Sequence, residues 1–183
     1  MKIVALGDSI TYGFPYLPEF SWVRLVSDEL DIAMLNKGMN GDTTWGMLER
    51  FALDVISRQP SHVIILGGAN DAFEGVIPNE VLDNVGKMAR MAGESGIVPW
   101  IGLPTPCSNF AEEALLGQYR QLLRRYTAAN GIGLIDFYSA MLNPAGDGIR
   151  EGLYFDGVHP NEAGYRVMAG VASDFLRRCV KQA

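Results

Sequence analysis

Five short apolar runs, separated by amphipathic stretches, constrain the fold of this 183-residue chain more than any other feature. The runs are continuous rather than alternating, which is typical of strands covered on both faces, as in a parallel sheet. Pro99 argues against the fourth run, because proline has no N–H to donate to a β-ladder. The runs lie at 3–6, 32–35, 63–66, 97–101 and 133–137.

The stretches between these runs have the apolar spacing of helices. Strand and helix therefore alternate along the chain, which predicts right-handed crossovers and a three-layer α/β/α domain. Because no repeat or linker interrupts the pattern, residues 1–183 are predicted to form one domain. The predicted helices lie at 22–30, 43–57, 79–94 and 112–129. A last helix carries a core-facing stripe of Met168, Val171, Ala172, Phe175, Leu176 and Cys179.

Composition limits the classes of partner and the location. The net charge of −6 and the lack of a Lys/Arg run argue against nucleic-acid binding, which needs cations to neutralise phosphates. No apolar stretch approaches the roughly 18 residues that span a membrane. The first run is shorter than the roughly 7–15 residues of a signal-peptide core, so we expect a cytoplasmic protein. Cys107 and Cys179 lack metal-type spacing, which favours free thiols, although one disulfide remains open.

Polar residues and glycines follow the first three predicted strands, at the edge where open α/β sheets bind ligands. Ser9 follows the first strand as a candidate nucleophile. Gly41 follows the second, where a residue without a side chain lets its N–H approach a ligand oxygen, and Asn70 follows the third as an amide donor. Each alone also fits an ordinary turn or helix cap.

The fourth polar block lies before the last helix. Asp156 and His159 share one turn there, and Pro160 suits the first position of that helix. A carboxylate in this place accepts one imidazole N–H and leaves the other ring nitrogen facing outward. The only other histidine, His62, begins the third strand at the opposite edge, so we interpret it as structural.

These four blocks, in this order, resemble the GDSL/SGNH hydrolase family. Its signature Ser, Gly, Asn and His fall on Ser9, Gly41, Asn70 and His159, and Asp156 is the partner of His159. The first block ends in Ile where the family name has Leu, which touches no catalytic role. The resemblance implies a flavodoxin-like fold with a five-stranded parallel sheet, in agreement with the strand pattern.

The resemblance also implies a mechanism. Ser9 attacks an ester carbonyl, His159 takes its proton, and Asp156 orients the imidazole. The oxyanion donors are the N–H groups of Ser9 and Gly41 and the amide of Asn70, and no metal or organic cofactor is required. We expect a small-molecule ester with a short acyl chain. The residues expected to bind it are Tyr12, Phe14, Pro104 and Phe155.

Three alternatives remain open from the sequence. An acyltransferase or a thioesterase would use the same site. A non-catalytic flavodoxin-like module would bind a nucleotide or flavin at the loop ends, although no phosphate-binding Gly-rich motif is present. A purely structural protein would not explain why all four blocks fall in loops. An exposed apolar helix face would support a homodimer, but nothing in the pattern requires one.

Overall fold

The computed structural model describes residues 1–180 and contains one sheet of five parallel strands. The strand order β2-β1-β3-β4-β5 is the flavodoxin-like order of doubly wound folds. The predicted α/β architecture is confirmed. The strands are β1 (Lys2–Gly7), β2 (Ala33–Gly38), β3 (His62–Leu66), β4 (Val98–Gly102) and β5 (Gly133–Ile135).

Helices cover both faces of the sheet. The long helices are α2 (Trp22–Leu30), α6 (Pro78–Glu94), α7 (Phe110–Asn130) and α9 (Glu162–Val180). Short helices follow the ends of strands or complete a crossover: α1 (Ser9–Tyr12), α3 (Thr44–Glu49), α4 (Phe51–Asp54), α5 (Ala69–Phe73) and α8 (Phe137–Ala140). Helices α2 and α9 pack against each other, while α6 contacts both α3 and α7.

Strand β1 shows why the apolar runs are continuous. Ile3 and Ala5 lie in the core beneath α2 and α9, whereas Val4 and Leu6 lie in the core beneath α6 and α7. All four are fully buried, because successive side chains of a strand point to opposite faces. Fully burying a Val, Leu or Ile side chain contributes about 1.5–3 kcal/mol, so both faces of the strand favour apolar residues.

The predicted helix over 43–57 is wrong as a single element. Helix α3 ends at Glu49, α4 restarts at Phe51, and a 3-10 turn follows at Ile56–Arg58. The interruption lies at Arg50, whose side chain binds oxygen atoms at the end of the sheet, and these tertiary contacts outweigh local helical preference. Leu53, part of the predicted apolar pattern, is 68% exposed.

Most other predicted boundaries differ from the structure by a few residues, and three of these differences have a clear physical reason. Strand β2 runs on to Gly38, because an edge strand tolerates polar side chains, and β5 ends at Ile135 because Asp136 caps α8. The last helix begins at Glu162, after Asn161 accepts from the N–H of Gly164, so Pro160 is not its first residue. The predicted stripe of α9 does face the core.

Pro99 lies within β4 without breaking it. The N–H of Val98 faces β3, where it donates to the Ser61 carbonyl, so the nitrogen of Pro99 faces β5. Pairing with β5 begins one residue later, at Trp100 and Gly133. The missing N–H therefore costs no ladder hydrogen bond.

Two further findings concern expectations from composition. Within residues 1–180 no helix has both the length and the apolarity needed to cross a bilayer. Cys107 and Cys179 both carry free thiols. The cytoplasmic location and the single-domain organisation stay predictions.

Candidate active site

Ser9 is the first residue of α1, directly beyond the end of β1, and only 7% of it is exposed. Asp8 caps the helix, since its Oδ1 accepts from the N–H of Ile10 at 2.9 Å. Asn36 of β2 fixes the other end of this helix by donating to the carbonyls of Thr11 and Tyr12, at 2.8 and 3.2 Å. The hydroxyl of Ser9 therefore sits on a turn held at both ends.

His159 and Asp156 lie in a turn before α9. The Asp156 Oδ1 atom accepts from the backbone N–H groups of Val158 and His159, at 3.0 and 2.8 Å, and Oδ2 lies 2.8 Å from His159 Nδ1. Partial burial alone would raise the pKa of Asp156, but the hydrogen bonds from His159 and Val158 hold it below its ordinary value. The carboxylate is thus ionised and rigidly oriented beside the imidazole.

The structure brings this pair to the candidate nucleophile. The Nε2 atom of His159 lies 3.0 Å from Ser9 Oγ. The ring of Phe14 packs on the imidazole, with 4.5 Å between ring centroids and an interplanar angle of 59°. With Nδ1–H donated to Asp156, Nε2 is left free to accept a hydrogen bond from the Ser9 hydroxyl.

Gly41 and Asn70 lie beyond the ends of β2 and β3, the two strands that flank β1. Gly41 has φ +79°, a left-handed conformation that favours glycine, and a side chain there would meet no atom within 4 Å. The Asn70 Nδ2 atom donates to the carbonyl of Asp42 at 2.8 Å. This hydrogen bond therefore links the side-chain amide of Asn70 to the residue that follows Gly41.

Asp71 fixes the same segment from the other side. Its carboxylate accepts from the N–H of Thr44, at 3.0 Å to the nearer oxygen, and from the Thr44 hydroxyl at 2.5 Å. Burial raises the pKa of Asp71, against the lowering effect of these hydrogen bonds. The sequence pattern predicts a role for neither Asp71 nor Asn36. The signals in the sequence were a carboxylate directly after Asn70 and an asparagine directly after the second apolar run.

A buried carboxyl group precedes the nucleophile. Asp8 is 1% exposed, and burial raises its pKa to about 7, with the charges of Asp71 and Asp42 adding to the shift and the Ile10 N–H opposing it. The group therefore changes charge near neutral pH.

The four predicted substrate-binding residues have different surroundings. Phe14 contacts His159, as described above, and Tyr12 ends the helix that carries Ser9. Pro104 is buried, and its carbonyl accepts from Arg120 at 3.3 Å. Phe155 is 61% exposed beside Asp156. The substrate-binding role of all four stays a prediction.

A cleft of about 550 Å³ lies between the loop after β4 and the segment 142–149. Its lining includes Cys107, Ser108, Tyr138 and Ile149, but neither Ser9 nor His159. The cleft nevertheless adjoins the turn that carries Asp156 and His159, because the N–H of Ser108 donates to the Gly157 carbonyl at 2.8 Å. Its volume is in the range of small-molecule sites.

Comparison with known proteins identifies the family to which this chain belongs. The profile of the GDSL-like lipase/acylhydrolase family matches residues 5–167, which is most of the chain. The chain belongs to this family. Membership confirms the predicted family and the predicted class of enzyme, a carboxylic ester hydrolase.

Three individual relatives illustrate this similarity. A member of the lipolytic G-D-S-L family from Veillonella parvula is 28% identical, with a TM-score of 0.87 over 97% of this chain and 99% of that one. Esterase TesA of Pseudomonas aeruginosa is 26% identical over 86% of this chain and 79% of its own length. An arylesterase of Vibrio mimicus is 34% identical, over 52% of this chain and 50% of its own length.

Proposed function

We propose that this GDSL-family chain hydrolyses carboxylic esters through an acyl-enzyme on Ser9. The observation that carries the proposal is the continuous contact from Ser9 Oγ to His159 Nε2 at 3.0 Å and from His159 Nδ1 to Asp156 at 2.8 Å. A nucleophile, a base within hydrogen-bond reach and a group orienting that base are the parts that nucleophilic catalysis requires.

The reaction proceeds in two halves. His159 removes the Ser9 proton as Oγ attacks the ester carbonyl, and the imidazolium then protonates the leaving alcohol. In the second half His159 takes a proton from a water molecule as the water oxygen attacks the acyl carbonyl. The bond between the acyl carbon and Ser9 Oγ then breaks, and the imidazolium returns the proton to Oγ as the acid leaves. Asp156 keeps the imidazole in the tautomer with Nδ1 protonated and stabilises its cation in both halves.

The negative charge on the carbonyl oxygen requires donors that are already in place. The Ser9 N–H, the Gly41 N–H and the Asn70 amide serve this role in our proposal. The positions of these three groups support the proposal, because they follow three neighbouring strands. Asn70 is also hydrogen-bonded to the residue after Gly41. An asparagine amide has two N–H groups, so a bond to the Asp42 carbonyl leaves one for the oxyanion.

The substrate proposed is an ester with a short acyl part and an apolar or aryl alcohol part. Large apolar side chains are exposed beyond the ends of β1 and β4 and next to Asp156, and in our proposal they favour an apolar group over a highly charged one. The Vibrio mimicus relative is an arylesterase, in line with an aromatic substituent. The exposed side chains are Leu17, Phe20, Phe110 and Phe155, with exposures of 59, 50, 92 and 61%.

A panel of p-nitrophenyl esters of increasing acyl length, assayed beside a matched thioester, tests this proposal. We expect hydrolysis that decreases as the acyl chain lengthens and that Ser9→Ala abolishes without unfolding the protein. Equal activity of wild type and Ser9→Ala would refute the nucleophile. Preference for the thioester would favour a thioesterase, and product transfer to an added alcohol would favour an acyltransferase. Binding of nucleotide or flavin without any hydrolysis would favour a non-catalytic module.

A further inference from the structure

We infer that Arg50 is a positioning residue that holds the three proposed oxyanion donors in register with one another. The inference rests on the proposed function and assigns a role to a side chain that the mechanism does not use. Arg50 lies between α3 and α4, and 13% of its side chain is exposed.

The guanidinium binds four oxygen atoms at the carboxyl end of the sheet. Its Nη2 donates to the Gly7 carbonyl at 2.9 Å, and its Nη1 donates to the Lys37 carbonyl at 3.0 Å. Its Nε donates to Asp42 Oδ2 at 2.7 Å, and Nη1 also contacts Asp54 Oδ2 at 2.8 Å. One planar cation thus joins the ends of β1 and β2 to the loop that follows β2.

Two of these contacts, those to Gly7 and Asp42, lead to the proposed donors. Gly7 precedes the Asp8–Ser9 turn that supplies the Ser9 N–H. Asp42 directly follows Gly41, so fixing its side chain limits the direction of the Gly41 peptide. The carbonyl of the same Asp42 accepts from Asn70 at 2.8 Å. Displacing Arg50 would therefore misalign the donors without removing any of them.

The charges of this cluster balance. Arg50 and Lys37 face the carboxylates of Asp42 and Asp54, and Lys37 Nζ lies 2.8 Å from Asp54. Partly buried charges of this kind are retained only when they are paired and hydrogen-bonded. Lysine cannot replace the arginine, because an ammonium on a flexible stem does not reproduce a planar fork that reaches four oxygens.

Helix α3 leaves room for the Asp42 carboxylate at Gly46. A Cβ atom added at Gly46 would lie 2.1 Å from Asp42 Oδ1. Gly46→Ala would therefore force the carboxylate away from its position on Arg50. Because alanine in a helix is favoured over glycine by roughly 0.5–1 kcal/mol, the change would not weaken α3 through its helix propensity.

The test compares Arg50→Lys and Gly46→Ala with wild type in kcat, in KM, and in inhibition by a trifluoromethyl ketone. Such a ketone adds the serine hydroxyl and forms a tetrahedral oxyanion. Titration with a fluorophosphonate gives the fraction of active sites, so that lost folding is separated from lost catalysis. Arg177→Lys is the matched control, because Arg177 binds Glu29 at the surface between α9 and α2.

We expect kcat per active site to fall about 10-fold or more in both variants, since small misplacements of catalytic groups have effects of that size. KM should change little, and the inhibition constant should rise in parallel with the loss of kcat, because the inhibitor depends on the same donors. Arg177→Lys should match wild type. A purely structural role for Arg50 would instead lower the active fraction with normal kcat per site.

The outcomes separate the two proposals. If Ser9→Ala is inactive and both variants keep the wild-type kcat per active site and inhibition constant, Arg50 has no positioning role and the proposed function stands. If Ser9→Ala keeps its activity, the proposed function fails, and the role assigned to Arg50 falls with it.

Discussion

The Oγ atom of Ser9 lies 3.0 Å from Nε2 of His159, although the two residues are 150 positions apart in the chain. Ser9 lies directly beyond the end of β1, and His159 lies in the turn that leads into α9. Tyr165 of α9 closes the arrangement by donating its hydroxyl to the carbonyl of Phe14 at 2.6 Å, and Phe14 in turn packs on the imidazole. The last helix therefore helps to hold the imidazole of His159 beside the hydroxyl of Ser9.

Asp156→Asn tests the role of the carboxylate. The asparagine keeps the size of the side chain but presents an amide to His159 Nδ1, which favours the wrong imidazole tautomer. We expect kcat to fall about 10³–10⁴-fold with KM little changed, as measured in steady-state ester hydrolysis. Asp136→Asn is the control, because Asp136 also accepts from a backbone N–H, as the N-cap of α8, and is similarly exposed, with 35% against 38%. Equal activity of the two variants would contradict the assignment.

Asn70→Ala tests the side-chain donor of the oxyanion site. Removing one such donor lowers kcat by on the order of 10²–10³-fold. The matched variant is Asn84→Ala, which removes a buried amide that donates to Thr44 at 3.2 Å and should reduce thermal stability far more than kcat. A loss of less than about threefold in Asn70→Ala would exclude the amide from oxyanion binding.

Gly41→Ala tests the backbone donor. At φ +79° an alanine is strained by about 1–2 kcal/mol, and relief of that strain would rotate the peptide whose N–H is proposed to face the oxyanion. Gly96→Ala provides the control, since Gly96 has φ +71° and equally open surroundings at the start of β4, on the opposite edge. Both variants should lose similar stability in urea unfolding, but only Gly41→Ala should lose kcat. Parallel kcat values would argue against the Gly41 N–H.

Asp8→Asn tests the consequence of burying a carboxyl group behind the nucleophile. The carboxyl ionises near 3.8 in an unfolded chain but at about 7 in the folded protein, so between these values the folded state binds more protons. Stability contributed by the protonated group is therefore lost as pH rises from the lower value through the higher one. Asparagine remains uncharged and still accepts from Ile10, because it caps helices as well as aspartate does.

Urea unfolding at about pH 5 and about pH 8.5 measures this difference. Relative to wild type, Asp8→Asn should be more stable at the higher pH than at the lower. A stability difference that does not change with pH would show that the buried carboxyl keeps an ordinary pKa.

The architecture was predictable because burial on both faces of a parallel sheet leaves a clear mark in the sequence. The runs that became β1 and β3 are apolar at every position, since their alternate residues enter two separate cores. Strand β2 lies at the edge of the sheet and includes Asn36 and Lys37, so its end was placed too early. The order of the polar blocks predicted which residues meet at the carboxyl edge.

The contacts that hold these residues in place could not be predicted. Arg50 lies within a stretch whose apolar spacing predicts one continuous helix, and only the folded chain brings it to Gly7 and Asp42. The sequence likewise gives no sign that Pro104 is buried or that Phe14 packs on His159. Such contacts join loops that are far apart in the chain, and no local periodicity in the sequence marks them.

The central claim is that Ser9 is the nucleophile activated by His159. Intact-mass and peptide mass spectrometry after treatment with a fluorophosphonate measures this directly in wild type, Ser9→Ala and His159→Ala. We predict a single adduct on the peptide that carries Ser9 in wild type, none in Ser9→Ala, and much slower labelling in His159→Ala. Labelling of another residue in wild type, or undiminished labelling of Ser9→Ala, would contradict the account.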